Sequence, residues 1–174
     1  MSGINADVVV VGAGPSGVAA SIGLVRRGAK VVLIEKEKFP RQKPCAGGVS
    51  ESALRHLKYD ITPVVREEVK DFRLALSYKN DCVVRSSKTI ISMTKRIELD
   101  ELGLNSALAE GCQLMVLDNI IGVDQDKDGV SLRYSGATIR AKYLVAADGA
   151  VEHHSTFHFG LARPALQAID LELG

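Results

Sequence analysis

The first part of the chain alternates between apolar runs and polar breaks in a way that predicts a strand, a helix and a second strand. Val8–Val11 is a run of β-branched residues, which is typical of a strand buried on both faces. Val18, Ile22 and Val25 follow at helical spacing and predict a helix with one apolar stripe. Lys30–Glu35 reads Lys-Val-Val-Leu-Ile-Glu, which indicates a second buried strand that ends in an acid. A β-α-β unit of this kind predicts an α/β fold with a parallel sheet.

Two further helices are predicted in the middle of the chain. Ser50 is placed to cap a helix over Glu51–Lys58, and Asp100 is placed to cap a helix over Glu101–Glu110. The inner face of the second helix should consist of Leu104, Ala107 and Leu108. Gly103 interrupts this helix, at a cost of about 1 kcal/mol relative to alanine.

The remaining apolar segments predict strands. Asp71–Tyr78 and Cys82–Arg85 should be joined by a turn at Lys79–Asp81 and form part of an additional sheet. Beyond Cys112, four strands are predicted, over Leu114–Val123, Val130–Tyr134, Ala137–Ala141 and Tyr143–Ala147. Two hairpin signals, Asp128-Gly129 and Ser135-Gly136, make these strands a β-meander. The meander should cross above the main sheet before its last strand re-enters that sheet and leaves Asp148 at the carboxyl end.

The turn between the first strand and the first helix carries three glycines, Gly12, Gly14 and Gly17, in GxGxxG spacing. The first glycine allows a tight turn, the second lets backbone approach a pyrophosphate, and the third lets the helix pack close to the sheet. A ribose-binding acid is expected roughly 20 residues after the glycine turn, and Glu35 lies close to that position. The alternative is a glycine turn with an unrelated surface glutamate. The order of strand, glycines, helix, strand and acid favours a dinucleotide site.

Composition narrows the function classes. The 174 residues make one domain or part of a larger one. A net charge of +1 gives no argument for binding nucleic acid or a charged membrane surface. No apolar run approaches the roughly 20 residues that span a bilayer, and no signal peptide is recognisable. Three widely separated cysteines indicate a reducing cytosol rather than a disulfide framework, so a cytoplasmic protein is expected.

A basic loop and a cysteine–glycine segment follow the acid that ends the second strand. Lys36–Lys43 contains four basic residues, and a solvated loop and an anion-facing loop are equally good interpretations. Gly47 and Gly48 come shortly after Cys45, at a place where backbone could lie against a flat ligand. Lys43 is close enough in sequence to favour the thiolate of Cys45.

Three stretches together resemble the geranylgeranyl reductase family of flavoproteins, which belongs to the aromatic-hydroxylase-like FAD superfamily. They are the opening glycine fingerprint, the segment Phe39-Pro40-Arg41-Gln42-Lys43-Pro44-Cys45-Ala46-Gly47-Gly48, and Arg96-Ile97-Glu98-Leu99-Asp100. The resemblance covers about residues 4–150. It implies a Rossmann-like FAD-binding domain with a parallel sheet, a β-meander crossover and part of an additional sheet. It also implies that residues 1–174 are the N-terminal part of that domain, without the family's C-terminal flavin segment and substrate domain.

The fingerprint and the resemblance together predict the cofactor-binding residues. The adenosine half of FAD should lie on Gly12, Gly14, Ser16, Gly17 and Glu35, and the carboxylate makes NADP a poor fit because it would repel a 2′-phosphate. By resemblance, Arg96 faces the phosphate–ribose region, Ile120 offers backbone to the adenine, and Asp148 is a further contact. The alternative for Arg96 is a surface ion pair with Glu98 or Asp100. The resemblance also places Cys45, Ala46 and Gly48 against FAD.

The family reduces isoprenoid double bonds, so the resemblance implies an FAD-dependent reductase or its FAD-binding portion. Cys45 is the expected catalytic residue, as a proton donor or a modulator of the flavin; the alternative is a small packing residue. The implied substrate is a prenyl lipid or a prenyl diphosphate, and the electron donor is NAD(P)H or a ferredoxin-like protein. Contact with the membrane periphery would come through the substrate. A flavin-dependent hydroxylase and a non-catalytic nucleotide-binding module are the alternatives.

The family pattern breaks beyond Ala150, where three histidines, His153, His154 and His158, lie close together. No acid or cysteine stands at metal-ligand spacing beside them. We interpret them as surface residues and predict no metal site.

Overall fold

The computed structural model describes residues 4–76 and 79–149, with side chains described outside 76–81. Its elements are, in chain order, β1 (Ile4–Val11), α1 (Pro15–Val25), β2 (Val31–Glu35), β3 (Gly48–Ser50), α2 (Glu51–Leu57), a 3₁₀ turn (Thr62–Val64), β4 (Val65–Val69), β5 (Asp71–Leu76), β6 (Lys79–Arg85), β7 (Ile91–Thr94), α3 (Arg96–Ala109), β8 (Gln113–Val116), β9 (Ile120–Asp126), β10 (Gly129–Tyr134) and β11 (Ala137–Ala146). The predicted α/β fold is confirmed.

The main sheet has six strands in the order β8-β2-β1-β11-β10-β9. The first four are parallel, and β9 and β10 join them as antiparallel strands. Two smaller sheets, β3-β7-β4 and β5-β6, lie outside it. The carboxyl ends of β1, β2 and β11 therefore meet at one edge, where ligands bind in open α/β sheets.

The two faces of the main sheet have separate cores. On one face α1 and α3 pack on β1 and β2, with Val18 and Ile22 of the predicted stripe fully buried and Val25 partly buried. On the other face, the meander residues Leu132 and Ile139 pack against the alternate valines and isoleucine of β1 and β2. Burial on both faces explains the uninterrupted apolar runs in these strands, residues 8–11 and 31–34.

The strands beyond Cys112 are divided differently from the sequence prediction. Ala137–Ala141 and Tyr143–Ala147 were expected as two strands, but β11 is one strand of 10 residues. Residues 137–141 pair antiparallel with β10, and residues 139–146 pair parallel with β1, so the two pairings overlap. The expected strand Leu114–Val123 is instead two strands, β8 and β9, at opposite edges of the sheet. An apolar run alone does not reveal such a break, because both halves are strand-like.

Helix α3 begins earlier than predicted. It starts at Arg96 rather than Glu101, so Asp100 is a buried helical residue and not a cap. Leu108 was expected to face the core but is 38% exposed. The helix is not interrupted at Gly103. A Cβ at this position would lie 2.7 Å from the Tyr59 hydroxyl, so the glycine makes room for the tyrosine.

Local signals elsewhere give mixed outcomes. Ser50 caps α2 as predicted, since its Oγ accepts the Ala53 N–H at 3.2 Å. The predicted turn at Lys79–Asp81 is wrong, because these residues lie within β6. The histidines at 153, 154 and 158 lie outside the described residues.

Candidate functional site

A cavity of about 210 Å³ lies at the carboxyl edge of β1, β2 and β11. Its wall includes seven of the residues that the sequence predicted for a cofactor site: Gly12, Gly14, Ser16, Glu35, Arg96, Ile120 and Asp148. It also includes residues of the basic loop: Lys36, Glu37, Arg41 and Lys43. The cavity wall does not include Gly17, Cys45, Ala46 or Gly48.

The three fingerprint glycines differ in what requires them. Gly12 has φ +102°, and a Cβ there would collide with the backbone of Ala147 and Asp148. A Cβ on Gly17 would collide with the carbonyl oxygen of Gly12, so this glycine brings α1 against the turn. A Cβ on Gly14 would meet only Arg41 Nη2, at 4.0 Å. The protein's own packing therefore does not require Gly14, and the space that its Cβ would enter is on the cavity wall.

Glu35 ends β2 and is only 7% exposed. Its Oε2 accepts the Ala13 N–H at 3.0 Å and lies 3.3 Å from Arg41 Nη2, which donates to it. Its Oε1 accepts the N–H groups of Lys36, at 2.9 Å, and Glu37, at 3.3 Å. The carboxylate therefore joins the turn after β1 to the loop after β2.

Arg41 extends this contact into a chain of buried charges. Its side chain is 6% exposed, and Nη1 lies 3.2 Å from Oδ2 of the fully buried Asp100. Asp100 in turn accepts two hydrogen bonds from Arg96, from Nε and Nη2, each at 2.8 Å. Two acids and two arginines thus alternate from the end of β2 to the start of α3, which balances their charges in a place where an unpaired charge would be costly.

Arg96 forms an ion pair, but not the surface pair that was the alternative to a cofactor contact. It pairs with Asp100, whereas Glu98 pairs with Arg66 on the surface. However, Arg96 is only 17% exposed and lies on the cavity wall. The arginine is therefore both an ion-pair partner and a part of the site.

Cys45 is exposed and lies next to this charge chain rather than in the cavity wall. Its Sγ accepts the Gly47 N–H at 3.4 Å. This hydrogen bond, with a second one from Arg96, lowers the pKa of the Cys45 thiol. The groups that favour the thiolate are thus Gly47 and Arg96, and not Lys43 as the sequence suggested.

Packing against β7 explains why glycines occupy positions 47 and 48 after Cys45. Gly47 has φ +79°, and a Cβ there would collide with the carbonyl oxygen of Thr94. A Cβ on Gly48 would lie 3.0 Å from Ile91. Both glycines therefore allow close pairing with β7, while Ala46 and Gly48 remain exposed.

Two site residues were missed by sequence reasoning. Arg41 was considered only as one of four basic loop residues, and Asp100 only as a helix cap or a surface partner of Arg96. Burial distinguishes both from their neighbours: they are among the few buried charged residues of the described chain. The signal available in the sequence was that each lies in one of the three stretches that resemble the family.

The described residues, 4–76 and 79–149, contain neither a group of metal-ligating side chains nor a helix that could span a membrane. No group of three or more histidine, cysteine or acidic side chains there could hold a metal ion. Within the same residues no helix has the length and apolarity to cross a membrane.

Comparison with known proteins gives consistent matches. The sequence pattern of the FAD binding domain family matches residues 5–157. Digeranylgeranylglycerophospholipid reductase 2 of Methanosphaera stadtmanae is 32% identical over 158 residues, which cover 84% of this chain and 40% of that protein. Menaquinone reductase of Mycobacterium tuberculosis is 31% identical over 155 residues, which cover 84% of this chain and 38% of that protein.

Among solved structures, a geranylgeranyl bacteriochlorophyll reductase-like protein from Thermoplasma acidophilum superposes with a TM-score of 0.73 and 26% identity. The superposition covers 85% of this chain and 40% of that protein. The resemblance to geranylgeranyl reductases is confirmed by these matches. This chain spans about two fifths of the length of the relatives it matches.

Proposed function

This chain belongs to the FAD binding domain family, and from that premise we propose that it binds FAD for an oxidoreductase that reduces isoprenoid double bonds of the geranylgeranyl type. The cavity at the carboxyl edge of the sheet is the observation that carries the proposal. It combines a glycine turn, the start of a helix, a carboxylate, the buried Arg41 and the partly buried Arg96, and a dinucleotide offers matching phosphates and ribose hydroxyls.

The residues around the cavity fit FAD. Gly14 supports the fit most directly, because its missing Cβ leaves a cradle for phosphate beside the first turn of α1. We assign the adenosine half of FAD to Gly12, Gly14, Ser16, Gly17 and Glu35. We assign the phosphate–ribose region to Arg96, the adenine to the backbone of Ile120, and a further contact to Asp148. These assignments make residues 1–174 the N-terminal part of an FAD-binding domain.

FAD supplies the hydride for the reduction when it is bound, and the chain's residues bind and orient it. We assign the region of the flavin ring to Cys45, Ala46 and Gly48, which are exposed beside the cavity. Cys45 then supplies the proton that completes reduction of the double bond. The exposed position of Cys45 supports this role.

The names of the relatives support a lipid substrate. One relative is named for a digeranylgeranylglycerophospholipid and another for menaquinone. We propose a prenyl lipid or prenyl diphosphate as substrate, NAD(P)H or a ferredoxin-like protein as electron donor, and a cytoplasmic location at the membrane periphery. The three free cysteines, Cys45, Cys82 and Cys112, fit a reducing compartment.

The test uses the full-length protein, loaded with FAD and reduced with dithionite, so that no electron donor has to be assumed. Residues 1–174 alone are expected to bind FAD without reducing the lipid. A geranylgeranyl lipid is added without oxygen, and loss of double bonds is followed by mass spectrometry. We expect reduced lipid, formed more slowly by Cys45→Ser with FAD still bound. Cys82→Ser is the matched control, since Cys82 is also an exposed thiol but lies on β6.

Two other outcomes would contradict the proposed function. Oxygen-dependent hydroxylation of an aromatic substrate would make the protein a flavin hydroxylase. Retention of FAD with neither reaction would make it a nucleotide-binding module. Equal rates for Cys45→Ser and the unchanged protein would show that Cys45 only packs.

A further inference from the structure

The carboxylate of Glu35 has no free acceptor position. A carboxylate offers about four lone-pair sites, two on each oxygen. The N–H groups of Lys36 and Glu37 occupy Oε1, and the Ala13 N–H and Arg41 occupy Oε2. A ribose hydroxyl can therefore donate to Glu35 only if one of these four donors leaves.

The four donors differ in how easily they can leave. Three are backbone N–H groups, held in place by the turn after β1 and the loop after β2. Arg41 is the only side chain among them, and its contact with Oε2, at 3.3 Å, is as long as any of the four. A side chain can move away from the carboxylate by rotating bonds, whereas the N–H groups can leave only if the backbone moves.

Arg41 also has a second anchor. Its Nη1 lies 3.2 Å from Asp100 Oδ2, and its guanidinium stacks on the Phe39 ring with 4.9 Å to the centroid. Its Nε and Nη1 are buried and donate no hydrogen bond among the described residues, since the contact of Nη1 with Asp100 is an ion pair without hydrogen-bond geometry, so its present position does not use all its donors. Arg41 can therefore leave Glu35 and remain paired with Asp100 inside the protein.

We propose that Arg41 is a specificity-determining residue that competes with the adenosine ribose for Glu35, so that a ribose hydroxyl binds this acid only by displacing Arg41. This inference rests on the proposed binding of FAD at the cavity. Because of this competition, Glu35 contributes little net affinity for the ribose while Arg41 is present. Removal of Arg41 should free an acceptor on a charged group, to which a hydroxyl can then donate without breaking another bond.

The experiment measures how much the ribose hydroxyls contribute to binding. Dissociation constants for ADP and for 2′,3′-dideoxy-ADP are measured by displacement of FAD, and their ratio reports the hydroxyls alone. In the unchanged protein we expect the two ligands to differ by less than about 3-fold. In Arg41→Met the ratio should rise to at least about 10-fold, as expected for a hydrogen bond to a charged acceptor.

Three further variants complete the test. Glu35→Gln combined with Arg41→Met should return the ratio to below about 3-fold, since the charged acceptor is gone. Arg66→Met is the matched control, because Arg66 pairs with Glu98 on the surface, and it should leave the ratio unchanged. Arg41→Lys retains a buried cation should Arg41→Met fail to fold. A single ammonium holds two acids less firmly than the two nitrogens of the guanidinium fork, so this variant should also raise the ratio, by at least about 3-fold.

The outcomes separate this inference from the proposed function. An unchanged ratio in the folded Arg41 variants, with FAD and ADP still bound, overturns the competition but leaves FAD binding intact. Failure of the unchanged protein to bind FAD or ADP overturns the proposed function and the inference with it. A merely structural role for Arg41 would weaken both nucleotides equally and leave their ratio unchanged.

Discussion

Two glutamate–arginine pairs in this chain differ mainly in burial, which makes them a matched test of what the charge chain does for stability. Glu35 is buried and accepts four hydrogen bonds, whereas Glu98 pairs with the exposed Arg66. Glu35→Gln should lower the free energy of unfolding by about 3 kcal/mol, because it leaves the buried Arg41 with one acid fewer. Glu98→Gln should lower it by less than about 1 kcal/mol. Urea unfolding of both variants checks this, and equal losses would contradict it.

The thiol of Cys45 should titrate below the ordinary range of a cysteine. Its pKa is lowered by the Gly47 N–H and by Arg96, and both effects favour the thiolate. The rate of alkylation by iodoacetamide should therefore level off at a lower pH than that of a free cysteine. Arg96→Met should move the profile to higher pH, because the charge that stabilises the thiolate is removed.

This measurement needs a background in which one thiol reacts. Cys82→Ser removes the other exposed thiol, while burial of Cys112 both shields it and raises its pKa. A profile that Arg96→Met does not shift would show that the arginine does not act on Cys45.

At the residue scale, the sequence predicted several residues of the cavity wall but not their contacts with each other. Glu35 and Arg96 were predicted for the site, and both lie on the cavity wall. Their link through Arg41 and Asp100 was not predicted. The contacts of Arg41 with Glu35 and Asp100 join β2, the following loop and α3, and no periodicity in the sequence reports which buried charges meet across such separations.

At the scale of elements, the glycines of the turn between β1 and α1 have two different roles. The fold requires Gly12 and Gly17, whereas Gly14 would be required by a ligand. Gly14→Ala should change stability by less than about 1 kcal/mol, because φ there is −75° and its Cβ meets no protein atom closer than 4.0 Å. The same substitution should weaken FAD binding at least about 10-fold, since the Cβ enters the space assigned to phosphate.

Gly12→Ala is the matched control within the same turn. Its positive φ and the collision with Ala147 should cost at least about 2 kcal/mol of stability. Urea unfolding and FAD fluorescence quenching separate the two effects. Loss of stability in Gly14→Ala, or unchanged FAD affinity, would contradict the division of roles.

The elements themselves were predictable where a local rule decides them. β1, α1 and β2 follow from hydrophobic periodicity, and the cap at Ser50 from a hydrogen bond within one turn. The start of α3 was missed because Asp100 has the chemistry of a cap but is held inside the helix by Arg96 and Arg41. A tertiary ion pair overrides the local preference in that case.

At the scale of the whole molecule, the order of strands creates the site. β11 comes from far along the chain and pairs with β1, which brings Ala147 against Val11 and Asp148 to the cavity. The sequence predicted that the last strand returns to the main sheet and leaves Asp148 at its carboxyl end, and the structure confirms it. The separation of β8 and β9 to opposite edges was not predictable, because strand order depends on packing between elements.

The position of the cavity leads to a prediction about ligand selectivity. Its volume of about 210 Å³ is below the roughly 300–1,000 Å³ of a typical small-molecule site, and its wall carries the residues assigned to adenosine and phosphate. Cys45, Ala46 and Gly48, which we assign to the flavin ring, are exposed outside it. We therefore expect ADP to bind within about 10-fold of FAD, and FMN at least about 100-fold more weakly than FAD.

Calorimetric titration of the purified chain with the three ligands checks this selectivity, and Gly14→Ala provides the control. If FAD and ADP share the glycine turn, Gly14→Ala should weaken both by the same factor, because each places a phosphate against that backbone. Unequal factors would mean that the two ligands place their phosphates differently. Binding of FMN as tight as that of FAD would show that the flavin ring, and not the adenosine half, is the part of the cofactor that this chain holds.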